Sequence, residues 1–332
     1  MLTLTDHPDN RPICNIVDSK RKVQSIVLWH PRRDEALKNE VEDVSSFNTP
    51  YLRDRFEISK NQADSIFEHL RSGETDTANQ KAFFRIKKYI DLALFTEMDL
   101  TDGPLEFEVR FDPDPTTYSG HELVVAGTGA GKSYYLKQQI LRNLKGPKRR
   151  RRKFIVFSAE WEADKTLRPL KALKYMDFVT GVDCGDAQFR ASVHDTEDQF
   201  FENEIVKRVD EAEPGTVIIF DDAREIVASN RVRHLIDKLL RVGRHQGLTL
   251  KIVLHNLRSG AWSTQAYSSV RYLTVFPRSQ KAKIVGFFNK ELGLPLSQAR
   301  DHVFAFSQAG RVCMVRFHAP ECLIGPKLLR LL

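Results

Sequence analysis

The sequence of 332 residues contains few cysteines and no long apolar run. Cys14, Cys184, Cys313 and Cys322 lack the short spacing of a CxxC pair, which argues against a disulfide framework and a zinc site and indicates a reducing compartment. No apolar stretch approaches the roughly 20 residues that a membrane-spanning helix requires. The first residues, MLTLTDHPDNRP, lack a basic segment followed by an apolar one, so a secretory signal is not expected.

Basic residues outnumber acidic ones, and the formal net charge is +7. The excess alone is a weak indication of a polyanionic partner. Its distribution is more informative, because seven cationic residues fall within nine positions: Lys145, Lys148, Arg149, Arg150, Arg151, Arg152 and Lys153. Such a run repels itself and is typical of segments that bind a polyanion, although a nuclear address or a solvated linker has the same composition.

The chain changes character after about residue 117. Before that point, candidate helices at residues 61–70 and 79–94 and a half-buried strand at 107–111 are separated by polar segments. We therefore predict an N-terminal α+β region over residues 1–117 and a second domain over residues 118–332.

In the second domain, short apolar runs alternate with helical patterns. The runs are residues 123–126, 154–157, 217–220, 250–254 and 273–276. Runs of this length between turns are typical of strands covered on both faces of a parallel sheet. Residues 302–306 and 312–317 flank SQAGR and predict a C-terminal β-hairpin.

The segment AGTGAGKS, residues 126–133, follows the first apolar run and opens a helical stretch. This is the strand–loop–helix context of a phosphate-binding loop, although Ala126 replaces the first glycine of GxxxxGK[ST]. The glycines let successive N–H groups point at a phosphate, and the positive end of the helix adds to that field. We expect Lys132 to reach the β- and γ-phosphates of ATP and the Ser133 hydroxyl to bind Mg²⁺. The predicted nucleotide contacts are Gly127, Thr128, Gly129, Ala130, Gly131, Lys132, Ser133 and Tyr134.

Two carboxylates close the apolar strand TVIIFDD. A strand parallel to that of the phosphate loop would bring them to the same edge of the sheet. We expect Asp221 to hold the Mg²⁺ shell and Asp222 to polarise the attacking water, with Glu160 and Glu225 as alternative bases.

Two arginines and two polar residues surround the next strand. Arg241 and Arg244 precede it in LLRVGRHQG, where they either reach the γ-phosphate bound by a neighbouring subunit or flank the end of a helix at the surface. His255 and Asn256 close the strand, and either one can sense the γ-phosphate or cap a turn.

With these motifs in place, the chain resembles the FtsK–HerA superfamily of DNA-pumping ATPases, in particular the viral genome-packaging ATPases of the poxvirus type. The resemblance covers residues 123–276 and rests on AGTGAGKS, VIIFDD and RVGRHQGLTLKIVLHN. It implies an α/β fold with a RecA-like P-loop (ASCE) core, a mostly parallel sheet and an extra strand between the phosphate-loop and acidic strands. Lys132 and Asp221 are 89 positions apart, which leaves room for one or two such strands. The family usually has glutamine where His255 or Asn256 stands.

The resemblance also implies a function and partners. It implies an ATP-driven, Mg²⁺-dependent motor that moves double-stranded DNA as a homo-oligomeric ring, a hexamer or pentamer, into a viral capsid, with capsid proteins as further partners. The DNA contacts would come from Lys148, Arg149, Arg150, Arg151, Arg152 and Lys153. Such a motor would work in the virion, in a virus factory of the host cytoplasm or in the nucleus, and would not be secreted.

Three other functions stay open at this stage. A conjugation-type or phage-assembly coupling ATPase often carries a membrane anchor, and no such segment is evident. A small-molecule kinase would not need the arginine motif or the paired aspartates. A nucleotide-gated scaffold without turnover would not need Lys132 together with Asp221 and Asp222.

Overall fold

The computed structural model describes most of the chain and contains helices and strands in alternation. The described residues are 2–4, 10–29, 53, 57–72, 79, 81–83, 86, 97–109, 114, 116–145, 148, 151–158, 164–180, 205–221, 230–257 and 266–332. The strands are β1 (Leu2–Thr3), β2 (Arg11–Val17), β3 (Val23–Trp29), β4 (Glu97–Asp99), β5 (Glu106–Val109), β6 (Glu122–Val125), β7 (Phe154–Ser158), β8 (Met176–Thr180), β9 (Val217–Asp221), β10 (Thr249–Leu254), β11 (Tyr272–Val275), β12 (Cys313–Arg316), β13 (Cys322–Ile324) and β14 (Leu328–Leu331). The α-helices are α1 (Lys60–Ser72), α2 (Lys132–Lys145), α3 (Asn230–Val242), α4 (Lys281–Glu291) and α5 (Leu296–Ala309), and 3₁₀ turns span Arg168–Ala172 and Gly243–Gln246. Within the described residues, no helix combines the length and apolar character needed to cross a membrane.

The chain forms two compact units. The first contains Met1–Arg110 together with Pro320–Leu332, and the second contains Phe111–Ala319. The C-terminal segment therefore belongs to the first unit, whereas the domain predicted from the sequence over residues 118–332 included it.

The first unit combines antiparallel strands with a helix. Four strands form a sheet in the order β1-β3-β2-β5, and β14 pairs antiparallel with both β13 and β4. Helix α1 lies where the sequence predicted a helix over residues 61–70. Most of the helix predicted over residues 79–94 falls outside the described residues. Within this range, residues 81–83 and 86 are described and are helical.

The C-terminal β-hairpin exists, but not where the sequence predicted it. Residues 302–306 lie inside helix α5, and β12 pairs antiparallel with β11 instead. In α5 the buried side chains Ala299, Val303 and Phe306 recur at helical spacing, so the apolar run is one face of a helix. The hairpin is formed by β13 and β14.

The second unit contains a mostly parallel sheet in the order β12-β11-β6-β10-β9-β7-β8. Every neighbouring pair is parallel except β11 and β12. Among the described residues between Lys132 and β9, the strands are β7 and β8, in agreement with the one or two strands predicted there. In space it is β10 that separates the phosphate-loop strand β6 from the acidic strand β9.

One face of this sheet packs on helix α2. Its core includes Leu136 and Ile140 of the helix and alternate residues of the strands: Val124, Phe154, Val156, Val217, Ile219 and Val253. Because side chains in a strand alternate between faces, Ser158 and Asp221 at the ends of β7 and β9 also lie on the α2 side. This alternation brings them towards the helix end that carries the phosphate loop.

Candidate nucleotide site at the carboxyl edge of the sheet

The phosphate loop has the backbone that its glycines require. Gly129 and Gly131 have φ angles of 73° and 105°, in the left-handed region that favours glycine. Ala126 is buried at the end of β6, and its N–H donates to the carbonyl of Leu254 at 3.1 Å. Alanine is therefore tolerated there, because the tight turn begins only after this residue. The exposed Thr128 and Gly129 leave the loop open to solvent.

The ammonium group of Lys132 lies over this loop. Its Nζ donates to the carbonyl oxygens of Ala126 at 3.0 Å and Gly127 at 3.4 Å, and it lies 3.1 Å from Nδ1 of His255. Lysine has only donors, so Nδ1 of His255 is the acceptor in this contact. The hydroxyl of Thr128 is 3.4 Å from the same nitrogen. The imidazole thus contacts the loop at two points.

The structure separates the two residues that close β10. His255 faces the phosphate loop, whereas the side-chain oxygen of Asn256 accepts a hydrogen bond from Lys283 at 3.0 Å. Sequence alone could not distinguish them, because either one can follow a strand as a polar cap. Of the two candidate sensors, only His255 contacts a phosphate-loop residue through a side-chain hydrogen bond in the described structure.

Gln280, at the start of helix α4, also contacts the loop. Its Nε2 donates to the carbonyl of His255 at 2.9 Å, and a Cβ added at Gly127 would lie 3.2 Å from the same atom. Gln280 therefore connects the loop to the strand end that carries His255. Gln280 was not among the site residues predicted from the sequence.

Oxygen-bearing side chains that suit a hard cation occur at the ends of β7 and β9 and in the segment after β7. Ser158 donates to Asp221 Oδ2 at 3.3 Å, and the two residues are paired across β7 and β9. Asp164 accepts from the amide N–H groups of Thr166 at 2.6 Å and Leu167 at 3.2 Å. Hydroxyl and carboxylate oxygens are the ligands that Mg²⁺ prefers, so Ser133 and Asp221 fit the predicted metal role.

Asp164 stays ionised beside Ser133. Burial by itself would raise the pKa of its carboxyl, but hydrogen bonds from the Ser133 hydroxyl and from the Thr166 and Leu167 amides outweigh burial and lower the pKa. Neither Asp164 nor Ser158 was found from the sequence. The only available signal was their position after the apolar run at residues 154–157.

The predicted base lies outside the described residues. Asp222 and its alternatives Glu160 and Glu225 all fall in segments that the structure does not describe. Their roles therefore stay predictions. Tyr134, the last predicted nucleotide contact, is described and is 61% exposed, so its ring is accessible to a ligand.

The strand order and the loop together decide the fold. The phosphate loop follows β6, the acidic residue Asp221 ends β9, and β10 lies between these two strands with His255 at its end. The core is a RecA-like P-loop fold.

Comparisons with known proteins identify no family. No protein-family model matches the sequence, and no curated protein matches it either. The genome packaging NTPase B204 from Sulfolobus turreted icosahedral virus 2, in complex with sulfate, aligns at 14% identity and a TM-score of 0.40, over 65% of this chain and 98% of that chain. The cytoplasmic domain of the Thermomonospora curvata Type VII secretion ATPase EccC aligns at 15% identity and a TM-score of 0.39, over 70% of this chain and 28% of that chain. The pCW3 conjugation coupling protein TcpA aligns at 15% identity and a TM-score of 0.36, over 63% and 60% of the two chains. Alignments this loose carry no argument about function, and the fold assignment rests on the strand order.

The two candidate finger arginines lie at the opposite edge of the sheet. Helix α3 ends at Val242, and the 3₁₀ turn Gly243–Gln246 then leads into the first residue of β10. The phosphate loop follows the last residue of the parallel strand β6, roughly 17–20 Å away along a strand of six residues. Arg241 and Arg244 are exposed. They cannot complete the site of their own chain, so any nucleotide they contact belongs to a neighbouring copy.

A buried histidine holds this arginine segment in place. His121 is 1% exposed and its Nδ1 accepts from the amide of Leu250 at 3.0 Å, while a Cβ added at Gly243 would lie 3.4 Å from the ring. Burial lowers the pKa of His121 to about 4, so the ring is neutral and can accept at neutral pH. The start of β10 is thereby tied to β6.

One residue of the basic run is misassigned by the sequence. Arg152 is 1% exposed, and its guanidinium donates to the carbonyls of Thr117 at 2.6 Å, Asp114 at 2.8 Å and Gly215 at 3.2 Å. Such a group cannot bind a DNA phosphate, because all three contacts would have to break. The prediction that Arg152 binds DNA is therefore wrong, and its role is to join three backbone segments.

The other cationic side chains of the run differ in their exposure to solvent. Lys148 and Lys153 are exposed, whereas Arg151 is half-buried and lies 5.8 Å from the ring centroid of Tyr175. Arg149 and Arg150 lie outside the described residues. Only Lys148 and Lys153 can be described as freely accessible cationic side chains of this run.

Proposed function

We propose that the chain is a Mg²⁺-dependent ATPase that translocates double-stranded DNA as a homo-oligomer, and that it packages a viral genome into a capsid. The observation that carries this proposal is the division of the site between two edges of one sheet. Lys132, His255 and Asp221 lie at the carboxyl edge, and the exposed Arg241 and Arg244 lie at the amino edge. A site divided in this way is completed by the arginine of a neighbouring copy. The packaging role implies capsid proteins as partners. It also implies that the protein works in the virion or in a virus factory and is not secreted.

The chain's own residues would act on the nucleotide in a defined order. A γ-phosphate would draw the Lys132 ammonium away from the carbonyls of Ala126 and Gly127 and from His255, because the phosphate has the higher charge density. His255 would then turn to the phosphate and sense its presence. Mg²⁺, when bound, would be held by Ser133 and Asp221 and would neutralise charge on the β- and γ-phosphates. Asp222 would accept the proton of the attacking water.

The DNA part of the proposal depends on charge. The net charge of +7 and the accessible Lys148 and Lys153 favour a polyanionic partner. A kinase of small molecules would gain nothing from these groups or from arginines at the far edge of the sheet.

A steady-state ATPase assay with and without linear duplex DNA tests the proposed function. We expect measurable turnover that requires Mg²⁺ and that rises several-fold with duplex DNA, because DNA binding and the nucleotide site would be coupled. Heparin serves as the control polyanion and should not stimulate. Nucleotide binding without turnover would instead indicate a scaffold, and turnover that is indifferent to DNA would exclude DNA as the substrate of translocation.

The role of the arginines in trans predicts that two inactive chains rescue one another. A chain with Arg241→Ala and Arg244→Ala keeps a normal phosphate loop, and a Lys132→Ala chain keeps normal arginines. An equimolar mixture should therefore recover part of the ATPase activity that each chain lacks alone. The measurement is the turnover rate of the mixture, with mixed oligomers verified by pull-down of differently tagged chains.

The absence of recovery in verified mixed oligomers would contradict this arrangement. In that case the arginines would have a structural role within their own chain. A useful control is a mixture of two tagged Lys132→Ala chains, which contains no intact site and should stay inactive.

A further inference from the structure

A cavity of about 470 Å³ lies beside helix α4 in the second unit. The described residues that line it are Asn256, Leu257, Lys283, Gly286, Phe287 and Lys290. The four helix residues are spaced i, i+3, i+4 and i+7, so they form one face of α4. This face is distinct from the phosphate loop and from the basic run at residues 145–153.

The floor of the cavity is apolar and preformed. Leu257 and Phe287 are 3% and 2% exposed. The ring of Tyr267 packs edge-on against Phe287, with centroids 5.1 Å apart, and its hydroxyl donates to the carbonyl of Leu257. These contacts hold the floor of the cavity in place without any ligand.

The rim of the cavity is cationic. Lys283 and Lys290 are both exposed, and no acidic side chain is among the described lining residues. Two helical turns separate the lysines, which corresponds to roughly 10 Å along the helix. At this separation the two lysines can each contact a different phosphate of one DNA strand.

A glycine occupies the middle of this face. Gly286 lies within the helix, where glycine is less favourable than alanine. A Cβ added there would meet nothing within 4 Å, so the free protein does not require a glycine for packing. A glycine at this position does allow a ligand to approach the helix backbone closely.

The cavity is connected to the nucleotide site by adjacent residues. Asn256 directly follows His255, which contacts Lys132, and it accepts from Lys283 on the rim. Gln280, one residue before α4, donates to the carbonyl of His255. A change at the phosphate loop therefore has a short physical route to the helix that carries both lysines.

We propose that this cavity binds the sugar–phosphate backbone of DNA, with Lys283 and Lys290 each contacting a phosphate and the sugar resting on the floor near Gly286. The inference rests on the proposed translocase function and names the surface through which the DNA would be held. The position of Asn256 between the sensor and Lys283 would let the nucleotide state alter this grip.

The test compares two double variants that remove the same charge. Lys283→Ala with Lys290→Ala removes the rim, whereas Lys238→Ala with Lys281→Ala removes two exposed lysines that do not line the cavity. Affinity for a fluorescent linear duplex is measured by anisotropy over a series of salt concentrations, with ATPγS and Mg²⁺ present. For the cavity variant we expect at least about a tenfold loss of affinity and a salt slope flatter by about 1.8, since each phosphate contact contributes about 0.9. The control should change clearly less.

A second variant tests the shape of the cavity without changing its charge. Gly286→Leu places an apolar side chain over the floor, and leucine favours the helix more than glycine does. Duplex affinity should fall while the melting temperature does not. A loss of duplex affinity together with a lower melting temperature would count against a specific effect of shape.

Two outcomes would overturn the inference. One is a cavity variant whose duplex affinity and salt slope equal those of the Lys238/Lys281 control. The other is a cavity variant that loses affinity for ATPγS but not for the duplex, because the cavity would then belong to the nucleotide. A wild-type protein that binds no duplex would instead contradict the proposed function itself, so the two failures are distinguishable.

Discussion

Lys132→Ala is expected to lower the steady-state ATPase rate by at least about a hundredfold, because the variant loses the only cation that the described phosphate loop presents to the γ-phosphate. The substitution removes a side chain that contacts two loop carbonyls and His255. We do not expect a change in the fold, since these contacts lie outside the core. The measurement is turnover under saturating MgATP, with far-UV circular dichroism of both proteins.

Lys137→Ala is the matched control for this prediction. Lys137 lies on the same helix α2, and its substitution removes the same charge without touching the loop contacts of Lys132. Its ATPase rate should stay close to that of the wild type. Near-normal turnover by a folded Lys132→Ala protein would refute the assignment of the phosphate loop.

The second large effect is expected at a buried ion pair. Glu122 and Lys251 face each other on β6 and β10, with side chains 2% and 5% exposed, and their charged groups form a salt bridge. The carboxylate of Glu122 also accepts from the hydroxyls of Tyr135 at 2.6 Å and Thr274 at 2.5 Å. Tyr135 belongs to helix α2, so this cluster ties the phosphate-loop strand to the helix that follows the loop. Burial raises the pKa of the Tyr135 hydroxyl, which keeps it a donor.

Lys251→Met should destabilise the second unit by about 3–5 kcal/mol, because it leaves the Glu122 carboxylate buried without its cation. Methionine matches the length of the lysine stem, so the loss would come from the charge and not from a cavity. The free energy of unfolding is measured by urea denaturation. Lys238→Met at an exposed position of α3 is the control and should change it by no more than about 0.5 kcal/mol.

A double variant distinguishes the loss of one charge of the Glu122–Lys251 pair from the loss of both. Glu122→Leu with Lys251→Met removes both charges and should be less destabilised than Lys251→Met alone, since apolar replacement of a whole buried pair is often close to neutral. If Lys251→Met costs no more than the exposed control, the ion pair does not stabilise the second unit. The cluster would then be a set of ordinary hydrogen bonds.

The sequence predicted those parts of the site that depend on contiguous residues. The phosphate loop was identifiable because its backbone conformation requires Gly129 and Gly131 and because Lys132 must follow them directly. The core strands were identifiable because β6, β9 and β10 are almost wholly buried, so their residues are apolar except at Glu122, Asp221, Thr249 and Lys251. The mostly parallel sheet with additional strands before Asp221 is confirmed.

Other features depend on partners that are far away in the chain. Arg152 belongs to a run whose composition is typical of DNA-binding segments, but its guanidinium donates to the backbone carbonyls of Thr117 and Gly215. The run at residues 302–306 had the apolar density of a strand and became a helix because its buried residues are spaced by three and four. A short apolar run does not contain enough residues to distinguish the two periods.

The sequence by itself therefore determined the nucleotide loop, the acidic strand end and the α/β character of the second unit, because each follows from local backbone chemistry or from burial on both faces of a strand. The tertiary structure alone decided that His255 and not Asn256 faces Lys132, that Ser158 contacts Asp221 and Asp164 contacts Ser133, and that Arg241 and Arg244 lie at the far edge of the sheet. These arrangements depend on strand order and on which face a side chain occupies. Both are set by packing between segments that are distant in the sequence, and no local pattern records them.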